Sequence, residues 1–313
     1  MKYHLTRFAP TPSGYLHLGN LFSFVLTAAL AQKHGAEILL RIDDLDQSRG
    51  RPEYLEDIFD TLYFLGFSWQ KGPKNLSEHE KNFSQVHRLP YYQESLSYLM
   101  QHNLVFACEC SRKKIAQYHH NTGYPGLCTN KNLSFTKGNT ALRVYTEPKT
   151  PISGITYPSS EFYERVPDDM AGFIVRKKDR MPSYQLSSML DDTWFGVDLV
   201  VRGTDLYPST LAQLYLSNLL PSCSSFKQTT FYHHPLLLDS DKKMAKSRGS
   251  TSIRHMRDQG MEASDIFIAL GKRLGISQET SSLGNMISIL ARPQTFLQIN
   301  QYLRSSLNRL NEE

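Results

Sequence analysis

Two short segments of the chain carry residues suited to binding phosphate groups. His17-Leu18-Gly19-Asn20 ends a stretch rich in proline and glycine and comes just before an apolar, helix-like run. A turn of this composition lets backbone N–H groups and a helix N-terminus approach a polyphosphate closely. Lys243-Met244-Ala245-Lys246-Ser247 places two lysines three residues apart beside a serine, which suits phosphate charge that grows in a transition state. Although loop lysines are usually solvated surface residues, the two segments together predict a nucleotide site.

A second group of residues could bind an acidic amino acid. Arg7 and Arg202 can clamp a carboxylate through charge-assisted hydrogen bonds. Asp43 and Tyr184 can accept hydrogen bonds from an ammonium group. The ordinary alternative is that Asp43 and its charged neighbours form a solvated surface cluster.

Three of the four cysteines are crowded into a short stretch of the chain, as Cys108, Cys110 and Cys128. Three thiolates are a good start toward a tetrahedral zinc site. Chemistry alone leaves the fourth ligand open, since four side chains are within reach along the chain: His119, His120, Glu109 and Tyr124. Histidine is the default expectation. Such a closed site would be structural, because it leaves no position for a catalytic water.

The elements that must position these residues begin with a strand-like stretch, residues 3–8, that runs into the first turn. A helix follows over 21–33, stopped by Gly35, and then an apolar strand over 37–42. This order predicts a βαβ unit of a doubly wound α/β domain. Ligands in such sheets bind at the carboxyl ends of the strands, where the turn and Asp43 would lie.

The whole chain is predicted to divide into four parts. Residues 1–85 form the first half of the catalytic domain, and 86–180 an inserted zinc-binding subdomain. Residues 181–240 complete the catalytic domain, and 241–313 hold the lysine-motif loop and a helical C-terminal region. Within these parts, residues 71–81 are predicted to be a surface loop and residues 236–238 a strand leading to the lysine motif.

Composition sets broad limits on the class of protein. The 313 residues are 40% hydrophobic and 21% charged, which is typical of a globular domain. Because the cysteines look more like metal ligands than a disulfide framework, we expect a cytoplasmic protein. Apolar runs long enough to span a bilayer and a signal-peptide pattern are both missing, so we expect no membrane binding. We also expect a monomer. The net charge of +5 favours a polyanionic partner only weakly.

The two phosphate-binding segments resemble the ATP-binding signatures of class I aminoacyl-tRNA synthetases. Within that class, four segments resemble the glutamyl branch: Arg7 to Gly14, Arg41 to Asp46, Tyr184-Gln185-Leu186 with Asp191-Asp192, and Val201 to Asp205. The chain departs from the pattern at two positions. Asn20 stands where class I enzymes often carry a second histidine, and Asp43 where many relatives carry Glu. The shorter Asp43 would need a water or a shifted substrate to reach an amine.

The cysteine pattern, Cys-x-Cys followed by Tyr-x-x-x-Cys, resembles the phenolate-bearing zinc site of the glutamyl-queuosine tRNA(Asp) synthetases. That resemblance implies structural Zn²⁺ held by Cys108, Cys110, Tyr124 and Cys128. Only 66 residues follow Ser247, so we expect no large anticodon-binding domain of the kind that full glutamyl-tRNA synthetases carry.

The resemblance also implies a fold and an activity. The fold is α/β, with a Rossmann-like class I catalytic core, an inserted zinc-containing subdomain and a short helical C-terminal region. The activity is ATP-dependent formation of glutamyl adenylate, assisted by Mg²⁺, and transfer of L-glutamate to the queuosine base at the wobble position of tRNA(Asp). The alternatives are a truncated glutamyl-tRNA synthetase that charges a tRNA 3′ end, and a non-catalytic tRNA-binding module.

Site residues follow from the same resemblance. The residues expected to act in catalysis are His17, Lys243 and Lys246. Those expected to bind L-glutamate are Arg7, Phe8, Ala9, Pro10, Thr11, Asp43, Tyr184 and Arg202. Those expected to bind ATP are Ser13, Gly14, His17, Gly19, Asn20, Asp205 and Lys246.

Overall fold

The computed structural model describes residues 2–46, 50–118, 123–147, 149–237, 252–276, 278–294, 298–299 and 301–302. These residues fall into two units. The first unit comprises the described residues of 1–85, 199–204 and 232–313, and the second those of 86–198 and 205–231. The turn at His17 therefore belongs to the first unit and the cysteine cluster to the second.

Strands and helices alternate along much of the chain. The strands are β1 (Leu5–Phe8), β2 (Glu37–Leu40), β3 (Val105–Cys108), β4 (Ala141–Val144), β5 (Ile152–Thr156), β6 (Ser160–Glu164), β7 (Ile174–Arg176), β8 (Leu199–Gly203) and β9 (Thr230–His234). The α-helices are α1 (Leu18–His34), α2 (Pro52–Phe64), α3 (Leu76–Glu78), α4 (Leu89–Gln101), α5 (Arg112–Ala116), α6 (Tyr184–Phe195), α7 (Tyr207–Leu219), α8 (Ile253–Asp258), α9 (Ala263–Arg273) and α10 (Leu283–Leu290). A π-helical turn covers His79–Phe83, and 3₁₀ turns cover Gln85–Arg88, Asp168–Met170, Thr204–Leu206 and Pro221–Gln228. Among the described residues, no helix has both the length and the apolar composition needed to cross a membrane.

The predicted βαβ unit is confirmed in the first unit. β1 and β2 pair in parallel, with Leu5 opposite Glu37 and Phe8 opposite Leu40. All four residues of β1 are buried, including the polar Thr6 and the charged Arg7. α1 connects the two strands, and both β8 and α10 contact it. β8 also lies against β1, so that residues at the carboxyl ends of β1, β2 and β8 share one unit.

The second unit contains antiparallel strands and a pair of packed helices. β4 pairs antiparallel with both β3 and β7, and β5 pairs antiparallel with β6. Arg88, the residue before α4, forms a buried ion pair with Asp191 of α6, in which Arg88 Nε lies 2.7 Å from Asp191 Oδ1. Tyr92 Oη donates to the same oxygen at 2.6 Å. The second unit continues beyond residue 180 to Asp198, because α6 packs against α7 and β7 of that unit.

Two local predictions are wrong. The strand of this region is β9 (Thr230–His234), which ends before Pro235. Leu236 and Leu237 are not in a strand, and Leu238 lies outside the described residues. Residues 71–81 are not a simple surface loop, since they contain α3 and enter the π-helical turn. His79 in that turn is only 1% exposed.

Candidate functional site

The loops that follow β1 and β2 lie side by side at the carboxyl ends of these strands. Arg41 N donates to Phe8 O at 2.9 Å, and Asp43 N donates to Pro10 O at 3.0 Å. Backbone pairing therefore continues past the two strands and carries the first loop alongside Asp43. Ser13 N donates to Thr11 O at 2.8 Å and closes a turn in the first loop. This is the edge at which parallel sheets bind ligands.

Arg7 and Arg202 come from two neighbouring strands, β1 and β8, and each is 4% exposed. Arg7 Nη1 donates to Val201 O at 3.2 Å, which fixes its guanidinium beside β8. Two buried guanidinium groups in one unit concentrate positive charge, which suits an anionic ligand.

His233 is a neighbour of both arginines that the sequence analysis missed. Burial, with further contributions from Arg202, His234 and Arg7, lowers the pKa of His233 to about 3. Its imidazole therefore stays neutral at physiological pH and adds no positive charge to the two guanidinium groups. The adjacent pair His233-His234 at the end of a strand was the available sequence signal.

Asp43 forms a buried, bidentate ion pair with Arg41. Arg41 Nε lies 2.8 Å from Asp43 Oδ1, and Arg41 Nη2 lies 3.0 Å from Oδ2. The fork-to-fork geometry fixes the plane of the carboxylate. An ionised carboxylate has about four acceptor positions, of which this pair uses one on each oxygen.

His17 caps the N-terminus of α1. Its Nδ1 accepts from Gly19 N at 3.0 Å, while His17 N donates to Asn20 Oδ1 at 3.0 Å. Asn20 thus completes a reciprocal capping box. Because Nδ1 accepts, the proton of the neutral ring is on Nε2, which makes Nε2 a donor. A Cβ at Gly19 would lie 2.8 Å from the His17 ring, so glycine is required for this approach.

The chain returns to His17 directly after the lysine motif. Lys243 and Lys246 themselves lie outside the described residues. Ser252 forms an antiparallel bridge with His17, and Ile253 N donates to Leu16 O at 2.7 Å. Ser252 Oγ also accepts from His255 N at 3.1 Å and caps α8. The segment that follows the lysine motif is therefore tied to the start of α1.

α8 is held in turn by charges on α2 that sequence reasoning did not identify. Asp57 is 1% exposed and lies 3.4 Å from Arg257 Nη1 and 3.6 Å from Arg254 Nη1. The Arg257 guanidinium also lies over the Phe64 ring, 5.0 Å from its centroid. These contacts fix the helix that starts at Ser252.

In the second unit, three thiols and one phenol converge. The Sγ atoms of Cys108, Cys110 and Cys128 all lie within 4.8 Å of one another, and all three residues are buried. Tyr124 Oη lies 3.4 Å from Cys108 Sγ and 3.9 Å from Cys110 Sγ. A tetrahedral zinc ion with ordinary bond lengths needs S–S separations of about 3.8 Å and O–S separations of about 3.5 Å. The four side chains fit that requirement.

The surroundings fix Tyr124 in this position. Its Oη accepts from Cys128 N at 2.7 Å, and the Arg143 guanidinium lies 4.1 Å from its ring centroid. Gly172, at φ +59°, lies so close that a Cβ there would be 3.1 Å from the Tyr124 side chain. Phe106 packs against the same ring at 5.7 Å between centroids.

The other three candidates for a fourth ligand are not seen beside the thiols in the described part of the chain. The carboxylate of Glu109 is paired with lysines and not with the thiols: it lies 2.8 Å from Lys137 Nζ and 3.2 Å from Lys131 Nζ. His119 and His120 lie outside the described residues. Burial raises the pKa of Cys110 to about 11 and also raises the pKa of Tyr124. A bound divalent cation would reverse both directions, since it favours the thiolate and phenolate forms.

Comparison with known proteins identifies the family. Residues 4–301 match the family model described as tRNA synthetases class I (E and Q), catalytic domain. A glutamyl-Q tRNA(Asp) synthetase of Pseudomonas fluorescens is 36% identical over 251 residues, covering 80% of this chain and 78% of the relative. One of Rhodobacter capsulatus is 31% identical over 289 residues, covering 85% of this chain and 99% of the relative. The chain belongs to the glutamyl-Q tRNA(Asp) synthetase family.

A solved structure supports the fold of this family member. A glutamate tRNA ligase from Elizabethkingia meningosepticum, in complex with its amino acid, superposes with a TM-score of 0.70 at 19% identity. The match covers 91% of this chain, and this chain spans 64% of that structure. The likeness confirms the class I synthetase fold, and membership of a synthetase family makes the protein an enzyme of the ligase type.

The residues expected to bind glutamate or ATP are divided between the two units. Phe8 is fully buried, and its ring contacts Phe24 and Phe67, so only its backbone remains for a ligand. Tyr184, the first residue of α6, and Asp205, in the 3₁₀ turn Thr204–Leu206, belong to the second unit. The roles of all these residues stay predictions.

Proposed function

We propose that the protein activates L-glutamate with ATP and transfers it to the queuosine base at the wobble position of tRNA(Asp). The observation that carries this proposal is the pair of buried arginines, Arg7 and Arg202, in the unit that also holds the histidine-capped start of α1. One feature suits a dicarboxylic amino acid, and the other suits a nucleotide phosphate.

The arginines would bind one carboxylate of glutamate. Their charge is permanent, and neutral His233 beside them adds no competing charge. Asp43 would accept from the substrate ammonium, with Arg41 holding its carboxylate in a fixed plane. The other carboxylate is then left to react. This arrangement would favour glutamate over glutamine, because the side-chain carboxylate is attracted by two guanidinium charges and a neutral amide is not.

ATP would bind where α1 begins. The helix N-terminus and the Nε2 donor of His17 favour phosphate oxygens. The glutamate carboxylate attacks the α-phosphorus, and pyrophosphate leaves, so the protein contributes positioning and charge and forms no covalent bond. Mg²⁺ would add positive charge at the phosphates. Lys246 precedes Ser252 by six residues, so covalent reach keeps its Cα within about 20 Å of that anchor beside His17.

In the second step, a hydroxyl of the queuosine ring attacks the activated carboxyl carbon, and AMP leaves. The names of the relatives support this acceptor. A synthetase that charges a tRNA 3′ end is the second candidate, because the fold also matches a glutamate tRNA ligase.

Zn²⁺ would be held by Cys108, Cys110, Tyr124 and Cys128. Four protein ligands leave no open position, so the ion would stabilise the second unit and take no part in the reaction.

The deciding experiment measures transfer of labelled glutamate, in the presence of ATP, to two tRNA pools that differ only in queuosine. Label in the queuosine pool alone is the expected result. Equal label in both pools would replace the proposal by 3′-end charging. No label in either pool, together with no glutamate-dependent pyrophosphate exchange, would leave a non-catalytic binding protein.

A further inference from the structure

Three hydrogen-bond donors converge on Asp44, the residue after Asp43. His79 Nε2 lies 2.9 Å from Asp44 Oδ2, and Ser84 Oγ donates to the same oxygen at 2.6 Å. Gln85 N donates to Oδ1 at 2.8 Å. Since an ionised carboxylate only accepts, His79 Nε2 is the donor in its pair. Gln85 Oε1 then accepts from Leu45 N at 3.2 Å, which ties the next residue to the same segment.

The π-helical turn His79–Phe83 makes this convergence possible. Its defining bond runs from Ser84 N to His79 O, five residues apart, at 2.8 Å. In an α-helix, side chains five residues apart point about 140° from one another. The wider π turn places them one above the other. His79 and Ser84 can therefore reach one carboxylate oxygen.

Asp43 is consequently held from two sides. On one side are Arg41 and the backbone bond from Asp43 N to Pro10 O. On the other side, the segment 79–85 fixes the two residues that follow it. His79 is the most buried of the side chains that contact Asp44, at 1% exposed. Within the part of the chain that the structure describes, its Nδ1 has no hydrogen-bond partner, so its Asp44 bond is its polar anchor.

We propose that His79 is a positioning residue for glutamate: through Asp44, it holds the Asp43 carboxylate where the substrate ammonium binds. This inference rests on the proposed function for the glutamate site. His79 does not touch the substrate. It acts by limiting the movement of the loop after β2, so that Asp43 meets the ammonium at a short distance.

The predicted effect is specific to the amine of the substrate. Glutarate carries both carboxylates of glutamate and lacks the ammonium, so its binding does not depend on Asp43. A loose Asp43 should raise the KM for L-glutamate while leaving the inhibition constant of glutarate and the KM for ATP unchanged. General damage to the first unit would change all three constants together.

Three variants test this in glutamate-dependent pyrophosphate exchange. His79→Leu keeps the volume and removes the donor. His79→Gln restores a donor near the position of Nε2. Ile58→Val, at a residue that is 1% exposed on α2, is a control for loss of core packing in the same unit. His79→Leu should raise the KM for glutamate by about tenfold or more, as expected for a lost hydrogen bond to a charged group, and His79→Gln should recover most of that loss.

The proposal is overturned if His79→Leu leaves the KM for glutamate unchanged, or if the glutarate constant rises in parallel. It is also overturned if His79→Gln behaves like His79→Leu.

Hydrogen exchange of the backbone amides of 43–45, measured on ligand-free protein, tests the positioning step separately. Exchange there should be faster in His79→Leu and unchanged in Ile58→Val; equal rates in all proteins would refute it. If the wild-type protein showed no glutamate-dependent pyrophosphate exchange, the proposed function would fail while amide exchange still decided whether His79 fixes this loop.

Discussion

At the scale of single residues, His17 shows how one ring can cap a helix and still present a donor. Its Nδ1 accepts a hydrogen bond from Gly19 N, and the proton of the neutral ring is therefore on Nε2. Asn20, which departs from the histidine often found at this position in class I synthetases, is explained by the cap, because its Oδ1 accepts from His17 N. Folding and the proposed phosphate binding thus make separate demands on the same side chain.

These two demands can be separated by substitution. Asparagine is a favoured N-cap, so His17→Asn should keep the melting temperature of the wild type while removing the Nε2 donor. We expect pyrophosphate exchange to fall by about 10²-fold or more, as found when one donor to a developing charge is removed. His17→Ala should lose the same activity and, in addition, about 1 kcal/mol of stability.

The comparison between the two variants is the control. Wild-type exchange in His17→Asn would show that the histidine serves only as a cap. A low melting temperature in His17→Asn would instead show that the asparagine cap does not form.

The residue types at the site were largely predictable, and their partners were not. The resemblance to the glutamyl branch pointed to Arg7, Asp43 and Arg202. The approach of His233 to both arginines depends on which strands become neighbours. A single sequence contains no direct record of that choice.

At the scale of elements, the βαβ unit was predictable because its periodicity and its helix-ending glycine agree with the fold. The segment 76–85 was not predictable, because its sequence is mostly polar and a π turn has no periodic signature. It is ordered by a tertiary contact, the convergence of three donors on Asp44. Polar composition predicts exposure only when no buried charge needs partners.

That contact gives the stability of the first unit a defined acid dependence. Burial opposes ionisation of Asp44, but hydrogen bonds from His79, Ser84 and Gln85 lower its pKa below the ordinary value of 3.8. As pH falls, the unfolded state takes up the proton first. The stabilisation is therefore complete above the unfolded pKa and is lost as pH falls through the folded pKa.

Asp44→Asn should accordingly be less stable than the wild type near neutral pH, and the difference in unfolding free energy should shrink as pH falls below about 4. Denaturant melts over a pH series measure this. Asp258→Asn, at an exposed carboxylate paired with Arg254, is the matched control and should keep the wild-type acid dependence. A constant difference between Asp44→Asn and wild type at all pH values would contradict the assignment.

At the scale of the whole molecule, the chain has a first unit that contains the turn at His17 and a second unit that contains the cysteine cluster. The second unit places Phe106, Tyr124 and the three thiols in one small apolar cluster at the end of β3. Buried cysteines pack as small apolar side chains, and three thiols so close together also offer ligands to a metal ion. A metal ion bound there would stabilise the second unit, since binding to a site that exists only in the folded state adds directly to folding free energy.

Metal removal should therefore act on one unit only. After chelation, amide exchange should become faster in β3 and β4, which adjoin the cluster, and stay unchanged in β1 and β2 of the first unit.

Tyr124→Phe should lose zinc to a chelator at least about tenfold faster than wild type, the scale seen when a metal site loses a polar partner. Tyr163→Phe, which removes an exposed hydroxyl bonded to Glu161 in the same unit, should keep the wild-type rate. Equal zinc loss in both variants would exclude Tyr124 as a ligand, and faster exchange in β1 would show that the metal stabilises both units together.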